Sequence, residues 1–237
     1  MFKQLPWDSK FFGYSIATLH LVPSDTTDFI AEFKKSDVTC LYLYIDKSAK
    51  VQNERCERHG YSPVEIRLRF AKHPRIQINE NKKSNIEITT DVDRNILKKL
   101  YPLAHQISHV SRFFKDVRFR PLAEKLYEQW IQLSADNNTQ KMSFLAWKGT
   151  IPVGIVTLKS HGNSIIIDLF GVKKSYRRKG IGAMLLRAAE NWAYQTGAQS
   201  LEVVTQKDNI ASCSLYKKHG FTQQSETMIY HLWKRDR

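Results

Sequence analysis

Two hydrophobic periods alternate along this chain, and the switches between them fall at turn residues. The clearest switch lies near the C-terminal third. Ser164-Ile165-Ile166-Ile167-Asp168-Leu169-Phe170-Gly171-Val172 is rich in β-branched residues and predicts a strand covered on both faces. The basic segment Lys173-Lys174-Ser175-Tyr176-Arg177-Arg178-Lys179-Gly180-Ile181-Gly182-Ala183 follows it. Ile181, Leu185, Ala188 and Trp192 then recur at helical spacing, with Met184 and Ala189 widening the stripe. Gly197 stands where the C-terminal cap of that helix belongs.

The same patterns organise the flanks. Alternation over 16–22, composition over 41–46 and the stripe Ile66, Leu68 and Phe70 predict three strands, with helices over 26–35 and 47–59 between them. Residues 71–85 are polar and aperiodic, which predicts a linker between a domain at 1–80 and a second at 86–237. In the second domain 86–90 predicts a strand. Asp91 or Asp93 then caps a helix that buries Ile96, Leu97, Leu100, Leu103 and Ile107. A segment at 111–121 interrupts it before helix resumes over 122–133. A hairpin around Lys148-Gly149-Thr150 precedes the central strand, and a strand at 201–205, a helix at 210–219 and a strand at 228–233 end the chain. Arg58-His59-Gly60-Tyr61-Ser62 echoes Lys218-His219-Gly220-Phe221-Thr222, so the first half reads as a truncated copy of the second domain's ending. Simple helix-glycine-strand economy explains the echo almost as well.

The basic turn carries the candidate chemistry. Gly180 and Gly182 allow a ligand close to the backbone, and the first amides of the following helix have no intrahelical partner. Arg177, Arg178 and Lys179 surround those amides with charge, so an anion, foremost a pyrophosphate, is expected there. The dinucleotide motif G-x-G-x-x-G fails because Leu185 stands where its third glycine belongs, and no phosphate-loop Gly-Lys-Ser/Thr is present.

The formal charge of +14, from 37 basic and 23 acidic residues, favours anionic partners. A hydrophobic content of 42% supports a proper core. Cys40, Cys56 and Cys213 lack metal-ligand spacing, and His105 and His109 lack a third ligand, so no metal is expected. No run approaches a membrane span and the start has no signal-peptide core, from which a soluble cytoplasmic protein is expected.

The spacing Arg177-x-x-Gly180-x-Gly182 resembles the acetyl-CoA pyrophosphate turn of the GNAT superfamily of N-acetyltransferases. Asn209-x-x-Ala-x-x-x-Tyr216-x-x-x-Gly220-Phe221 resembles that family's second landmark. The resemblance implies an α/β (α+β) fold with a mixed, centrally splayed sheet over 86–237, preceded by a small N-terminal α/β domain resembling a truncated GNAT half. It implies acetyl-CoA as donor, with backbone at Phe170, Gly171 and Val172 on the pantetheine arm and amides from Arg178 through Gly180, Ile181, Gly182 and Ala183 on the pyrophosphate. Asn209 would steady the cofactor, Tyr216 would protonate the departing thiolate, and Asp168 is a candidate general base beside a water-mediated alternative.

Leu5-x-Trp7-Asp8-Ser9-x-Phe11-Phe12-Gly13, Ser111-Arg112-Phe113, Tyr127-x-x-Trp130-Ile131, Asn191-Trp192-Ala193-Tyr194 and Val204-Thr205-Gln206-x-x-Asn209 resemble bacterial acetyltransferases of the TDP-fucosamine type. That implies a nucleotide-linked amino-deoxysugar as acceptor, in surface-polysaccharide synthesis. Arg112, Arg118 and Arg120 beside Phe113 would then grip phosphate and stack on base or sugar. Another small-molecule or protein amine, and a non-catalytic nucleic-acid-binding module, are the rival readings. No nucleic-acid-binding motif supports the latter. A homodimer is expected only as the commonest oligomer.

Overall fold

The computed structural model describes residues 2–76, 85–90 and 92–234. In chain order its elements are β1 (Lys3–Gln4), α1 (Pro6–Phe12), β2 (Ile16–Leu21), α2 (Phe29–Lys35), β3 (Cys40–Asp46), α3 (Lys50–Arg58), β4 (Glu65–Lys72) and β5 (Glu87–Thr89). There follow α4 (Arg94–Lys98), α5 (Tyr101–Ser108), α6 (Arg112–Lys115), α7 (Arg120–Gln132), β6 (Lys141–Lys148), β7 (Ile151–His161) and β8 (Ser164–Val172). The chain then forms α8 (Ile181–Gln195), β9 (Ser200–Gln206), α9 (Ile210–Lys218) and β10 (Thr222–Trp233).

These elements group into two compact units. The first comprises Met1–Leu68, Gln206–Asp208 and Ser225–Arg237; the second comprises Arg69–Thr205 and Asn209–Gln224. This differs from a division at 80/86. The reason is a long-range pairing: Thr227–Trp233 run antiparallel to Asp46–Cys40, so the end of the chain supplies a strand to the first unit. Local periodicity carries no record of such a partner. Of the expected linker, residues 77–84 lie outside the described residues, and so does Asp91.

In the first unit β2 and β3 are parallel, with Ile16 opposite Cys40 and Leu21 opposite Ile45. One face of this sheet meets α2 and α3. Phe29, Ile30 and Phe33 from α2 and Cys56 from α3 pack on Leu41, Leu43, Ile45, Tyr230 and Leu232. The Tyr230 hydroxyl donates to Asn53 Oδ1 at 3.0 Å, which satisfies a polar group inside that core.

In the second unit the strand order is β4-β9-β8-β7-β6-β5. β8 is antiparallel to β7 and parallel to β9, so the sheet is mixed, with helices packed on it. The expected long helix after Asp93 is two helices. Asp93 caps α4 through the amides of Asn95 and Ile96, and a fresh start at Leu100 places Pro102 in the first turn of α5. The last strand begins at Thr222 rather than 228, because its polar first half alternates too weakly to read as a strand.

The echo noted in the sequence extends to whole elements. β3, α3, the capping His59 and Gly60 (φ +77°) recur at the same chain offset as β9, α9, His219 and Gly220 (φ +80°). Each strand runs parallel to the one before it, β3 to β2 and β9 to β8. The first unit lacks the candidate site residues at these positions. Cys56 occupies the place of Tyr216 and Ala49 that of Asn209. Before α2, Asp25 and Asp28 engage the amides of Val22 and Ala31, where a bound anion would need free donors. We therefore expect one coenzyme A site per chain, measured as a stoichiometry of one by titration calorimetry; two equivalent sites would refute this assignment of the first unit.

Candidate functional site

The site grows from the point where β8 leaves β9. The two strands pair from Ser164/Ser200 to Ile167/Val203 and no further, although β8 continues to Val172 and β9 to Gln206. Residues 169–172 thus keep β7 on one edge and have no β9 ladder on the other. A bulge marks the same place. Thr157 pairs with Leu169 and Leu158 with Ile167, which leaves Asp168 as the extra residue of β8. The Thr157 hydroxyl accepts from the Leu169 amide at 2.9 Å and fills the interrupted ladder.

The bulge redirects a side chain. In a regular strand Asp168 would share a face with Phe170 and oppose Leu169. Instead Asp168 and Leu169 line one cleft of about 340 Å³, while Phe170 lies on the other face, 6.1 Å from the Tyr216 ring. Gly171 is on the α5 side, under Leu103 and Ile107. Phe170 and Val172 remain at the open edge, and the Val172 carbonyl accepts from Arg177 Nε at 2.9 Å.

The basic turn closes on itself and leads into α8. Arg178 holds φ +63°, a left-handed conformation that costs a non-glycine residue on the order of 1 kcal/mol, and Gly180 follows at φ +80°. Gly182 lies in the first turn of α8. A Cβ there would meet Leu215 Cδ2 at 3.3 Å and the Phe170 ring at 3.5 Å, so glycine allows α8 to seat against both β8 and α9. Ile181 is buried and fixes the helix, while Ala183 and Lys179 flank its open end; Lys179 Nζ sits 5.3 Å over the Tyr176 ring. No acidic residue occupies the first turn. The product is a cationic helix start whose amides face outward from a strained turn.

α9 supplies the other half. Asn209 caps it, its Oδ1 accepting from the Ser212 amide at 3.3 Å. Tyr216 is 3% exposed among the rings of Phe70, Phe170 and Phe221. Burial, with Cys213 beside it, raises its phenol well above the ordinary tyrosine range and keeps the proton on oxygen. Lys72 ties this arrangement down. Its ammonium is 2.7 Å from Glu190 Oε1 on α8 and donates to the His219 carbonyl at the end of α9 at 2.9 Å; both side chains are largely buried. The Arg75 amide adds a second donor to Glu190.

The structure moves the expected acceptor loop. Arg112 and Phe113 are buried in α6 rather than exposed in a loop, with the guanidinium 4.2 Å over the Phe113 ring. Phe113 sits edge-on to Phe119 and Trp130, and this aromatic packing is what draws the segment inward. Arg118 is half-buried, and exposed Arg120 donates to the Phe114 carbonyl at 2.8 Å. None of the four lines the cleft at Asp168. Its walls are Trp130, Ser134, Lys141, Thr157 and Lys159 instead. Lys159 Nζ lies 2.6 Å from Asp168 Oδ1. Lys141 and Lys159 carried no sequence signal, since only strand register makes them neighbours. His105 and His109 pair with Glu128 and Glu124 of α7 at 2.6 and 2.7 Å. Among the described residues no group of three His, Cys, Asp or Glu side chains is arranged to hold a metal ion, and no helix is long and apolar enough to cross a membrane. The three cysteines are buried and none is in a disulfide.

Comparison with known proteins identifies this architecture. The model of the Acetyltransferase (GNAT) family matches residues 104–221. Streptothricin acetyltransferase A of Bacillus subtilis is 30% identical over 120 residues, 49% of this chain and 69% of that protein. The dTDP-fucosamine acetyltransferase of Escherichia coli is 26% identical over 228 residues, 93% of each chain. A GCN5-related N-acetyltransferase from Kribbella flavida superposes with a TM-score of 0.60 at 13% identity, over 92% of this chain and 80% of that one, and so shares the fold. The chain belongs to the GNAT acetyltransferase family and is an N-acetyltransferase. Acetyl-CoA is its acyl donor. The residues fit that group: a basic turn without acid at the start of α8, where Gly180 leaves open space beside the backbone, and an open strand edge next to it.

Lys72→Met leaves Glu190 buried without its ammonium partner, so it should lower stability by about 3 kcal/mol, read from denaturant unfolding. Gly182→Val should weaken coenzyme A binding at least about tenfold by calorimetry, because α8 must then back away from Phe170 and Leu215.

Proposed function

We propose that this N-acetyltransferase acetylates the amino group of a nucleotide-linked amino-deoxysugar, of the dTDP-4-amino-4,6-dideoxyhexose type, in surface-polysaccharide synthesis. The observation that carries this reading is the length of the likeness to the dTDP-fucosamine enzyme, which runs through the first unit as well as the acetyltransferase core. The likeness to streptothricin acetyltransferase A covers about half of the chain.

The geometry supports these residue roles. Amides from Arg178 through Ala183 hold the donor's pyrophosphate with Arg178 and Lys179, while Arg177 braces the turn from Val172. Backbone at Phe170 and Val172 aligns the pantetheine arm along the edge that β9 leaves open, and Asn209 keeps α9 in register beside it. Bound acetyl-CoA supplies an acyl carbon activated as a thioester. The acceptor's ammonium enters the cleft and loses a proton to Asp168. As the nitrogen–carbon bond forms and the carbon–sulfur bond breaks, Tyr216 gives its proton to sulfur, and the second proton from nitrogen restores the phenol. A buried neutral phenol suits that task, since it remains protonated throughout the range in which amines react.

Thiol release from acetyl-CoA across a panel of dTDP- and UDP-linked 4-amino and 3-amino deoxysugars tests the acceptor. We expect release with one of these sugars. Release with streptothricin and none with any sugar nucleotide would replace the acceptor class. Tyr216→Phe should lower kcat by about a hundredfold and leave coenzyme A affinity within about twofold, because it removes an interaction of the transition state. Unaltered kcat would remove Tyr216 from the mechanism.

A further inference from the structure

The lip of the Asp168 cleft holds an arrangement that folding alone does not favour. Lys141 on β6 and Lys159 on β7 are direct cross-strand partners, and like charges placed opposite one another destabilise a sheet. Only one of them is compensated by a carboxylate among the described residues. Lys159 pairs with Asp168, whereas Asp136, the cleft's other acid, is held by Arg94 at 3.4 Å. The Lys159–Asp168 pair is also open to water, with side chains 45% and 56% exposed, so it is weakly held. An ammonium arriving in the cleft can therefore take the place of Lys159 on the carboxylate at little cost. Lys159 is then free to join Lys141 around an anion. Trp130 forms a flat wall beside the same space.

We infer that the cleft selects an acceptor bearing an ammonium and, a few atoms away, a phosphate-type anion: Asp168 receives the first, and Lys141 with Lys159 the second. The ion pair of the free protein is a placeholder for the acceptor's two charges. This rests on the nucleotide-sugar reading and assigns its anion-binding residues to the β6–β7 lip, in place of Arg112, Arg118 and Arg120, none of which lines the cleft.

The test uses the full chain saturated with coenzyme A, so that the donor turn cannot take the probe. Binding of dTDP is measured by calorimetry for the parent and for Lys141→Met, Lys159→Met and Lys141→Gln. Thiol release is compared in the same proteins for the nucleotide-linked amino sugar and the phosphate-free methyl glycoside of that sugar. We expect both Lys141 substitutions to weaken dTDP binding about tenfold, and all three substitutions to lower the ratio of kcat/KM for the nucleotide-linked sugar over the glycoside by a similar factor. Equal losses with both acceptors, or dTDP binding that ignores the lysines, would overturn the inference even where the sugar nucleotide is acetylated. Lysine-dependent dTDP binding with no sugar nucleotide acetylated would uphold the anion site and remove the acceptor assigned above.

Discussion

The structure depends on a ladder that stops early. β8 and β9 run together only as far as Ile167 and Val203, and the bulge at Asp168 bends β8 away. Backbone groups are obligatory hydrogen-bonding groups, and an open edge inside a fold is tolerated where a ligand completes it. In the function proposed above, the pantetheine arm of the donor is that ligand. The same bulge places an acid on one face of β8 while Phe170 stays on the other beside Tyr216. In the proposed function, donor and acceptor would approach this strand from opposite sides.

Two helix ends frame this opening, and their spacing is held from behind. α8 offers its positive end at Gly180–Gly182, and α9 carries Tyr216 on its second turn. Lys72 reaches from β4 to Glu190 on α8 and to the His219 carbonyl on α9, so a single buried ammonium touches both helices. A buried ion pair of this kind adds little net stability and strongly penalises any rearrangement that separates it. That property suits a part whose task is to keep two helices at one distance.

The first unit repeats the strand-helix-strand plan of the second without its working parts. Cys56, whose thiol burial pushes up to about 12, is an inert core residue where Tyr216 would stand. Asp25 and Asp28 engage the backbone amides that precede and open α2. What survives is the packing: parallel β2 and β3 under α2 and α3, with the chain's last strand alongside. Fold and chemistry separate cleanly here, because packing needs only apolar periodicity while binding needs particular groups at particular positions.

How much was legible follows the range of the interactions. The basic turn, α8, the Asn209 cap and Tyr216 lie within stretches whose spacing is local, so glycine, charge and helical period announced them. The burial of Arg112 and Phe113 was not legible, because a basic, aromatic segment looks like a ligand grip until Phe119 and Trp130 are seen to enclose it. The cleft was invisible for another reason. Lys141, Lys159 and Asp168 are brought together by the β6–β7 register and one extra residue in β8, and a one-residue slip would send each to the opposite face. The sequence by itself determined most of the elements and the family, and it marked the basic turn before α8, since each is written in short-range periodicity and spacing. Tertiary structure alone decided which strand joins which unit, which arginines are buried and which lysines face the acid, because those depend on pairings between residues far apart in the chain.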